Sequence, residues 1–174
     1  MNLLSNDFEI FGLPVQFALD RTTLDERWKT LQRQAHPDRF ATADAQTQRQ
    51  SMQWSVRINE AYQRLKQPLK RAAYLCELHG VAIQADNNTA MPAAFLMQQM
   101  QWREALEEAS DLTALSQMAD EVAQARQQML HDLQHTADVQ RDFQALAQQV
   151  RALMFVERFA QDVEQRMDSL ASVS

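Results

Sequence analysis

The segment LDERWKTLQRQAHPDRF, residues 24–40, decides the fold, because it predicts a helix that ends at a fixed corner. Four apolar residues recur at spacings that place them on one face of a helix over residues 21–35: Leu24, Trp28, Leu31 and Ala35. Pro37 ends this helix, since a proline disfavours the helical conformation in the residue before it. The tripeptide His36-Pro37-Asp38 is therefore predicted to form a stiff, exposed corner.

The same helix carries a second, basic face beside the apolar one. Asp20 is predicted to cap its first turn, and Lys29 and Arg33 align with His36 on the helical period. A further helix is predicted to begin after Thr42 or Asp44 and to continue to residue 66. One side of this helix is predicted to carry Met52, Val56, Asn59, Tyr62 and Leu65. Because the connection is short, these two helices should pack antiparallel.

The whole composition favours helices over strands. Only 2 glycines and 4 prolines interrupt 174 residues, so we predict an all-α protein. A short helix over residues 7–11 should end at Gly12, and another should begin at Pro68 and end near Gly80. These two short helices would flank the antiparallel pair.

The second half of the chain predicts a bundle. Residues 81–91 lack periodicity, so we place a linker there. Three amphipathic helices should follow, starting respectively at Pro92, after Ser110 or Asp111, and after Thr136 or Asp138. Short connections between amphipathic helices are typical of an antiparallel three-helix bundle, here over residues 92–174.

The charge is divided unevenly along the chain. Its net value is −6, yet residues 1–75 hold 11 Lys and Arg against 8 Asp and Glu, and residues 76–174 hold 6 against 15. We therefore expect the first half to be attracted to an acidic partner and nucleic-acid binding to be disfavoured. The single cysteine, Cys76, excludes an intrachain disulfide. The sequence has no apolar run long enough for a membrane span, so we expect no membrane association. Its start lacks the basic region of a secretory signal, so we expect a cytoplasmic location.

Several segments together resemble a known family. FEIFGLP (8–14), LDERWKTLQRQAHPDRF (24–40) and INEAYQRLKQPLKRAAYL (58–75) closely resemble the J-domain co-chaperones. Within the J-domain co-chaperones, the chain resembles the HscB type in HPDRF (36–40), KRAAYLCELHG (70–80) and AAFLMQQMQWREALEEA (93–109). The resemblance implies an N-terminal J-domain over residues 1–80, formed by a helical hairpin with short flanking helices, before the linker and bundle.

The resemblance also implies a chaperone-binding site at the corner. In the family, this loop and the basic face before it dock on an ATP-bound HscA-type chaperone and trigger hydrolysis. The corresponding residues here are His36, Pro37, Asp38, Lys29 and Arg33. Lys29 and Arg33 would steer association, while Asp38 would accept a bond from a partner arginine. His36 would position the corner rather than transfer a proton, so no catalytic residue is predicted.

A second implied surface receives the IscU-type scaffold protein of iron–sulfur cluster assembly. By resemblance it comprises Leu96, Met97, Met100, Gln101, Glu104 and Phe155. The first five share one helical face, and exposed Leu, Met and Phe would form an adaptable groove. Gln101 stands where an acidic residue is usual in the family, and Ala105 replaces a common glutamate, which puts the charged part of the recognition in question.

Three alternatives stay open from the sequence. The chain could serve a different client, or it could be a helical adaptor without ATPase coupling. It could also be a metal-dependent hydrolase that uses His36 and Asp38, or the pair His131 and His135, although further zinc ligands are missing from both. We predict no metal and no cofactor, and the lack of a cysteine-rich N-terminal zinc extension favours a bacterial form.

Overall fold

The computed structural model of the chain describes residues 2–84 and 91–173, which contain helices and no strand. In chain order these residues form α1 Asp7–Ile10, α2 Arg21–Ala35, α3 Ala45–Lys66, α4 Pro68–Leu78, α5 Ala93–Glu108, α6 Leu112–His135 and α7 Phe143–Val173. A 3-10 turn, Pro37–Phe40, joins α2 to α3, and a π-helical turn, Thr136–Gln140, follows α6. The all-α prediction is confirmed.

Contacts divide the chain into two compact units, Met1–Leu75 and Cys76–Ser174. The division falls inside α4, before the predicted linker. Residues 85–90 of that linker lie outside the described residues.

In the first unit, α2 and α3 form an antiparallel hairpin. Tyr62 of α3 donates its hydroxyl to Asp25 at 2.7 Å near the start of α2. One turn later in α2, the indole of Trp28 donates to Asn59 at 3.0 Å and stacks on Tyr62 at 4.5 Å between ring centroids. The Tyr62 hydroxyl and Arg21 lower the pKa of the Asp25 carboxyl below its usual value. These polar contacts fix the register of the hairpin in addition to its apolar packing.

The buried face of α3 differs from the predicted one. Met52 and Val56 are exposed, with 59% and 54% of their surface accessible. The residues that α3 buries are Ser51, Ile58, Ala61, Tyr62 and Leu65. Tyr62 and Leu65 were predicted on this side and are buried. The prediction was wrong for Met52 and Val56, because a small polar residue and an alanine occupy buried positions instead, which weakened the apolar signal of that face.

A buried carboxylate attaches α1 to the hairpin. Asp7 is 0% exposed, and its two oxygens lie 2.8 Å from Arg57 Nη1 and 3.3 Å from Arg64 Nη1. Its backbone N–H donates to the Tyr74 hydroxyl at 3.0 Å, and burial raises the pKa of that tyrosine. A buried charge needs such partners, since an unpaired one is very costly. Gly12, just after α1, turns the chain with φ of 62°, as predicted for the residue that ends this helix.

In the second unit, α5, α6 and α7 form the predicted bundle. Phe95 and Trp102 of α5 contact Phe155 and Phe159 of α7, so these two helices are parallel. The helix between them, α6, is antiparallel to both: Arg126 in its second half binds Glu157 at 3.0 Å. The best-buried residues of the core that these helices share are Leu115, Val122, Val156, Phe159 and Val163.

The helix starts in this unit were predicted with mixed success. Asp111 caps α6, as expected, by accepting the Ala114 N–H at 2.7 Å. Pro92 precedes α5 rather than being its first helical residue. The prediction for α7 was wrong: neither Thr136 nor Asp138 caps it, because the π-helical turn and a left-handed Arg141, with φ of 51°, intervene. Asp142 instead accepts the Ala145 N–H at 3.1 Å.

We expect Asp7→Ala to lower the free energy of unfolding of the full chain by about 3 kcal/mol, because Arg57 and Arg64 lose their buried partner. Urea unfolding followed by circular dichroism measures this change. Asp38→Ala, which removes the same charge from an exposed position of the same unit, should cost less than about 0.5 kcal/mol. Equal effects of the two variants would contradict the structural role of Asp7.

Candidate functional site

The corner between α2 and α3 has a fixed backbone. His36, which precedes Pro37, is extended, with φ of −61° and ψ of 131°, so α2 ends there as predicted. The imidazole Nδ1 of His36 accepts the backbone N–H of Asp38 at 3.2 Å. An accepting Nδ1 places the ring proton on Nε2, on the other side of the imidazole.

The carboxylate of Asp38 projects into solvent. Its side chain is 92% exposed, and its Oδ2 lies 3.6 Å from His36 Nδ1. Pro37 and the His36 hydrogen bond together restrict the backbone that carries this carboxylate. The corner therefore presents an exposed charged acceptor on a restricted backbone.

Two residues of α3 contact the backbone on either side of the corner, and neither was among the predicted site residues. The Ser51 hydroxyl donates to the carbonyl of Ala35 at 2.6 Å. The Gln48 amide donates to the carbonyls of Ala41 and Ala43 at 3.0 and 3.2 Å. No local sequence pattern predicts such contacts, because they join residues that lie up to 16 positions apart.

The cations of α2 and of the 3-10 turn have different environments. Lys29 and Arg33 are exposed on the face that they share with His36. Arg27 instead binds the chain after α1, donating from Nη1 to the carbonyls of Phe11 and Gly12 at 2.7 and 2.8 Å. Arg39 reaches back to the Arg33 carbonyl at 3.5 Å. The exposed basic face of α2 thus consists of Lys29 and Arg33, while Arg27 holds the fold together.

A second candidate surface lies on α5, on the side turned away from the bundle. Met97 and Met100 are 61% and 64% exposed, which is unusual for large apolar residues. Gln101 and Glu104 are also exposed and share this side of the helix, while Leu96 is partly buried at its edge. We call Met97, Met100, Gln101 and Glu104 the outer face of α5. Phe95 and Trp102 point the other way and pack on α7.

Phe155 lies at the seam between α5 and α7, away from the outer face of α5. It is partly buried, meets Phe95 edge-on at 5.9 Å and stacks on Phe159 at 6.2 Å between ring centroids. The guanidinium of Arg103 lies 5.4 Å from the Phe155 ring and binds Asp162 at 2.8 Å. Five of the six predicted scaffold-binding residues are thus together on α5, and Phe155 contacts the inner side of the same helix.

The remaining candidate groups have less to offer chemically. His131 and His135 are both exposed, and no cluster of three metal-binding side chains occurs within residues 2–84 and 91–173. Cys76 is fully buried, and burial raises the pKa of its thiol to about 11, so the reactive thiolate is disfavoured at neutral pH. Across the part of the chain that the structure describes, each helix is too short or too polar to span a lipid bilayer.

Comparisons with known proteins agree with this architecture. Residues 91–164 match the family model described as HSCB C-terminal oligomerisation domain. The chain is 49% identical over 157 residues to the Co-chaperone protein HscB homolog of Bordetella petrii, covering 90% of this chain and 92% of the relative. It is 47% identical over 173 residues to that of Burkholderia cenocepacia, covering 98% of each chain.

Solved structures give the same result. The chaperone HscB from Vibrio cholerae superposes with a TM-score of 0.84 at 38% identity, over 95% of this chain and 99% of that one. The human co-chaperone protein HscB superposes with a TM-score of 0.90 at 25% identity, over 95% of this chain and 84% of that one. With a helical hairpin closed by an exposed His-Pro-Asp corner, a C-terminal three-helix bundle and close relatives over nearly its whole length, the chain belongs to the HscB family of co-chaperones.

Proposed function

We propose that this co-chaperone stimulates the ATPase of an HscA-type chaperone and delivers an IscU-type scaffold protein to it during iron–sulfur cluster assembly. The single observation that carries the proposal is the geometry of the corner, where Asp38 is exposed on a restricted backbone and follows a helix that exposes the cations Lys29 and Arg33. Membership of the HscB family supports a chaperone as the partner. We propose the bacterial cytoplasm as the compartment, since relatives of high identity come from bacteria.

Asp38 is suited to accept a charge-assisted hydrogen bond from an arginine of the chaperone. Such bonds are about twice as strong as neutral ones, and an arginine can form two of them with one carboxylate. Because Pro37 and His36 already restrict the backbone of Asp38, docking loses little conformational entropy there. The proposed contact is therefore specific to this backbone geometry as well as to the charge.

Lys29 and Arg33 would guide the approach of the chaperone. Residues 1–75 carry an excess of three positive charges, although the whole chain is acidic. Exposed charges of this kind act mainly on the association rate, and salt weakens them. The proposal therefore assigns steering to the basic face of α2 and specificity to the corner.

The corner offers little for a hydrolytic reaction of its own. Its imidazole is engaged through Nδ1 with the backbone of the same turn, and Asp38 is 92% exposed rather than placed in a cavity that could exclude water. His36 supports the backbone here. We therefore favour an adaptor over the metal-dependent hydrolase.

The outer face of α5 would bind the scaffold. Met97 and Met100 are flexible and polarizable, so exposed together they form a contact area that adapts to a partner. Glu104 adds one negative charge, whereas Gln101 is neutral. Phe155, behind α5, would act by fixing this helix through Phe95 as well as by any direct contact.

A J-domain co-chaperone that serves a different client is the second candidate. Gln101 and Ala105 favour it, because the resemblance leads us to expect acidic side chains at these two positions. The apolar part of the surface is unaffected by these differences. Binding measurements with an IscU-type scaffold distinguish the two candidates.

We expect His36→Gln to abolish stimulation of the HscA-type ATPase, because the amide oxygen of glutamine lies one bond further from the backbone than His36 Nδ1 and no longer accepts the Asp38 N–H in this turn. His36→Asn should retain part of the stimulation, since the Oδ1 of an asparagine readily accepts a bond from the N–H two residues on. Steady-state phosphate release with the full-length proteins measures both variants. Wild-type stimulation by His36→Gln would show that the corner is not the docking element.

We expect the double variant Met97→Ser, Met100→Ser to weaken binding of an IscU-type scaffold by more than about tenfold, because two exposed apolar contacts are lost. Isothermal titration calorimetry measures the affinity. The matched control is Met52→Ser, Val56→Ser, which removes two residues of similar exposure from α3 and should bind normally. If neither variant, or both, lost affinity, the outer face of α5 would not be the scaffold site.

A further inference from the structure

The C-terminal end of α2 lacks the usual way of satisfying its last carbonyl groups. Helices commonly end in a left-handed glycine whose following N–H groups bond back to these carbonyls. Here His36 is extended and Pro37 has no N–H, so this arrangement cannot form. The carbonyl of Ala35, directly before the corner, therefore needs a partner from elsewhere in the fold.

Ser51 supplies that partner from α3. Its side chain is buried, with a relative exposure of 5%, and its hydroxyl lies 2.6 Å from the Ala35 carbonyl oxygen. A serine is disfavoured in a helix interior and at a core position, unless its hydroxyl is satisfied. The hydrogen bond to Ala35, the residue before His36, offsets the unfavourable free energy of burying a serine there.

Gln48 holds the chain on the other side of the corner. Its side-chain amide donates one N–H to the Ala41 carbonyl and the other to the Ala43 carbonyl. Both carbonyls lie between the 3-10 turn and Asp44, the residue that caps α3 by accepting the Thr47 N–H at 2.7 Å. The Thr47 hydroxyl, together with this capping bond from the Thr47 backbone, lowers the pKa of the Asp44 carboxyl below its usual value. The first turns of α3 thus contact the backbone both before and after His36-Pro37-Asp38.

We propose that Ser51 and Gln48 are positioning residues that set the direction of Asp38 for the chaperone. Ser51 fixes the entry to the corner through Ala35, and Gln48 fixes the exit through Ala41 and Ala43. Neither side chain touches the chaperone in this account, so both act through the backbone of the corner. The inference rests on the proposed function, because the corner must dock for its direction to matter.

The surroundings of Ser51 allow a precise test. Ser51 lines an open groove of about 330 Å³ between α2 and α3, together with Leu31, Phe40 and Trp54. Ser51→Thr keeps the hydroxyl and adds one methyl group at the wall of this open groove, so we expect little overfilling of the core. Ser51→Ala removes the hydroxyl alone. Ser55→Ala is the matched control, since Ser55 is also on α3 and bonds to Gln32 of α2, but not to the corner.

The experiment has two readouts on the full-length chain. The amide resonance of Asp38 in a ¹H–¹⁵N NMR spectrum reports the corner without any partner. The concentration of each variant that half-saturates the HscA-type ATPase reports docking, separately from the maximal rate. For Ser51→Ala we expect a displaced Asp38 resonance and a half-saturating concentration raised about tenfold, the equivalent of one good hydrogen bond, with an unchanged maximal rate. Gln48→Ala should act in the same direction.

Ser51→Thr and Ser55→Ala should match the wild type in both readouts. An unmoved Asp38 resonance in Ser51→Ala, or a Ser51→Thr that behaves like Ser51→Ala, would overturn the inference. If the wild-type protein itself fails to stimulate the chaperone, the proposed function fails, and the NMR readout still decides whether Ser51 positions Asp38.

Discussion

The conformational restriction that Pro37 places on His36 is the constraint on which the N-terminal unit depends. It ends α2 at a defined residue and turns the chain into a 3-10 turn, so that α3 can return along α2. The register of the hairpin then follows from polar contacts such as Trp28 with Asn59. The same restriction leaves the Ala35 carbonyl without a local partner, which Ser51 of α3 supplies. Corner and hairpin therefore stabilise each other.

Local signals in the sequence predicted the helices and most of their ends. Asp20, Asp44 and Asp111 each cap a helix as expected, because an N-cap depends only on the next three residues. The start of α7 was missed, since a π-helical turn and a left-handed arginine have no comparable signature. The buried face of α3 was predicted only in part, because Ser51 and Ala61 carry little apolar signal.

The candidate sites divide in the same way. Helical spacing was compatible with exposed side chains beside the corner and on α5. The structure exposes Lys29 and Arg33 on α2, and Met97 and Met100 on α5. The contacts of Ser51 and Gln48 could not be predicted, because they depend on how α3 packs against the end of α2 and the residues after the 3-10 turn. The roles of Arg27 and Phe155 likewise depend on packing: one arginine binds the α1 end, and one phenylalanine lies between two helices. The resemblance and helical spacing thus indicated the two proposed surfaces, and the fold shows which contacts support the residues that form them.

Each unit carries one of the two proposed surfaces, and the net charges of the two units are opposite in sign. An adaptor with this division should couple client delivery to nucleotide hydrolysis. The most direct test measures the ATPase rate of an HscA-type chaperone in the presence of this protein, an IscU-type scaffold, both or neither. The account predicts that the two together accelerate hydrolysis well beyond the product of their separate effects. A rate in the presence of both that is no higher than that of the chaperone alone would contradict it.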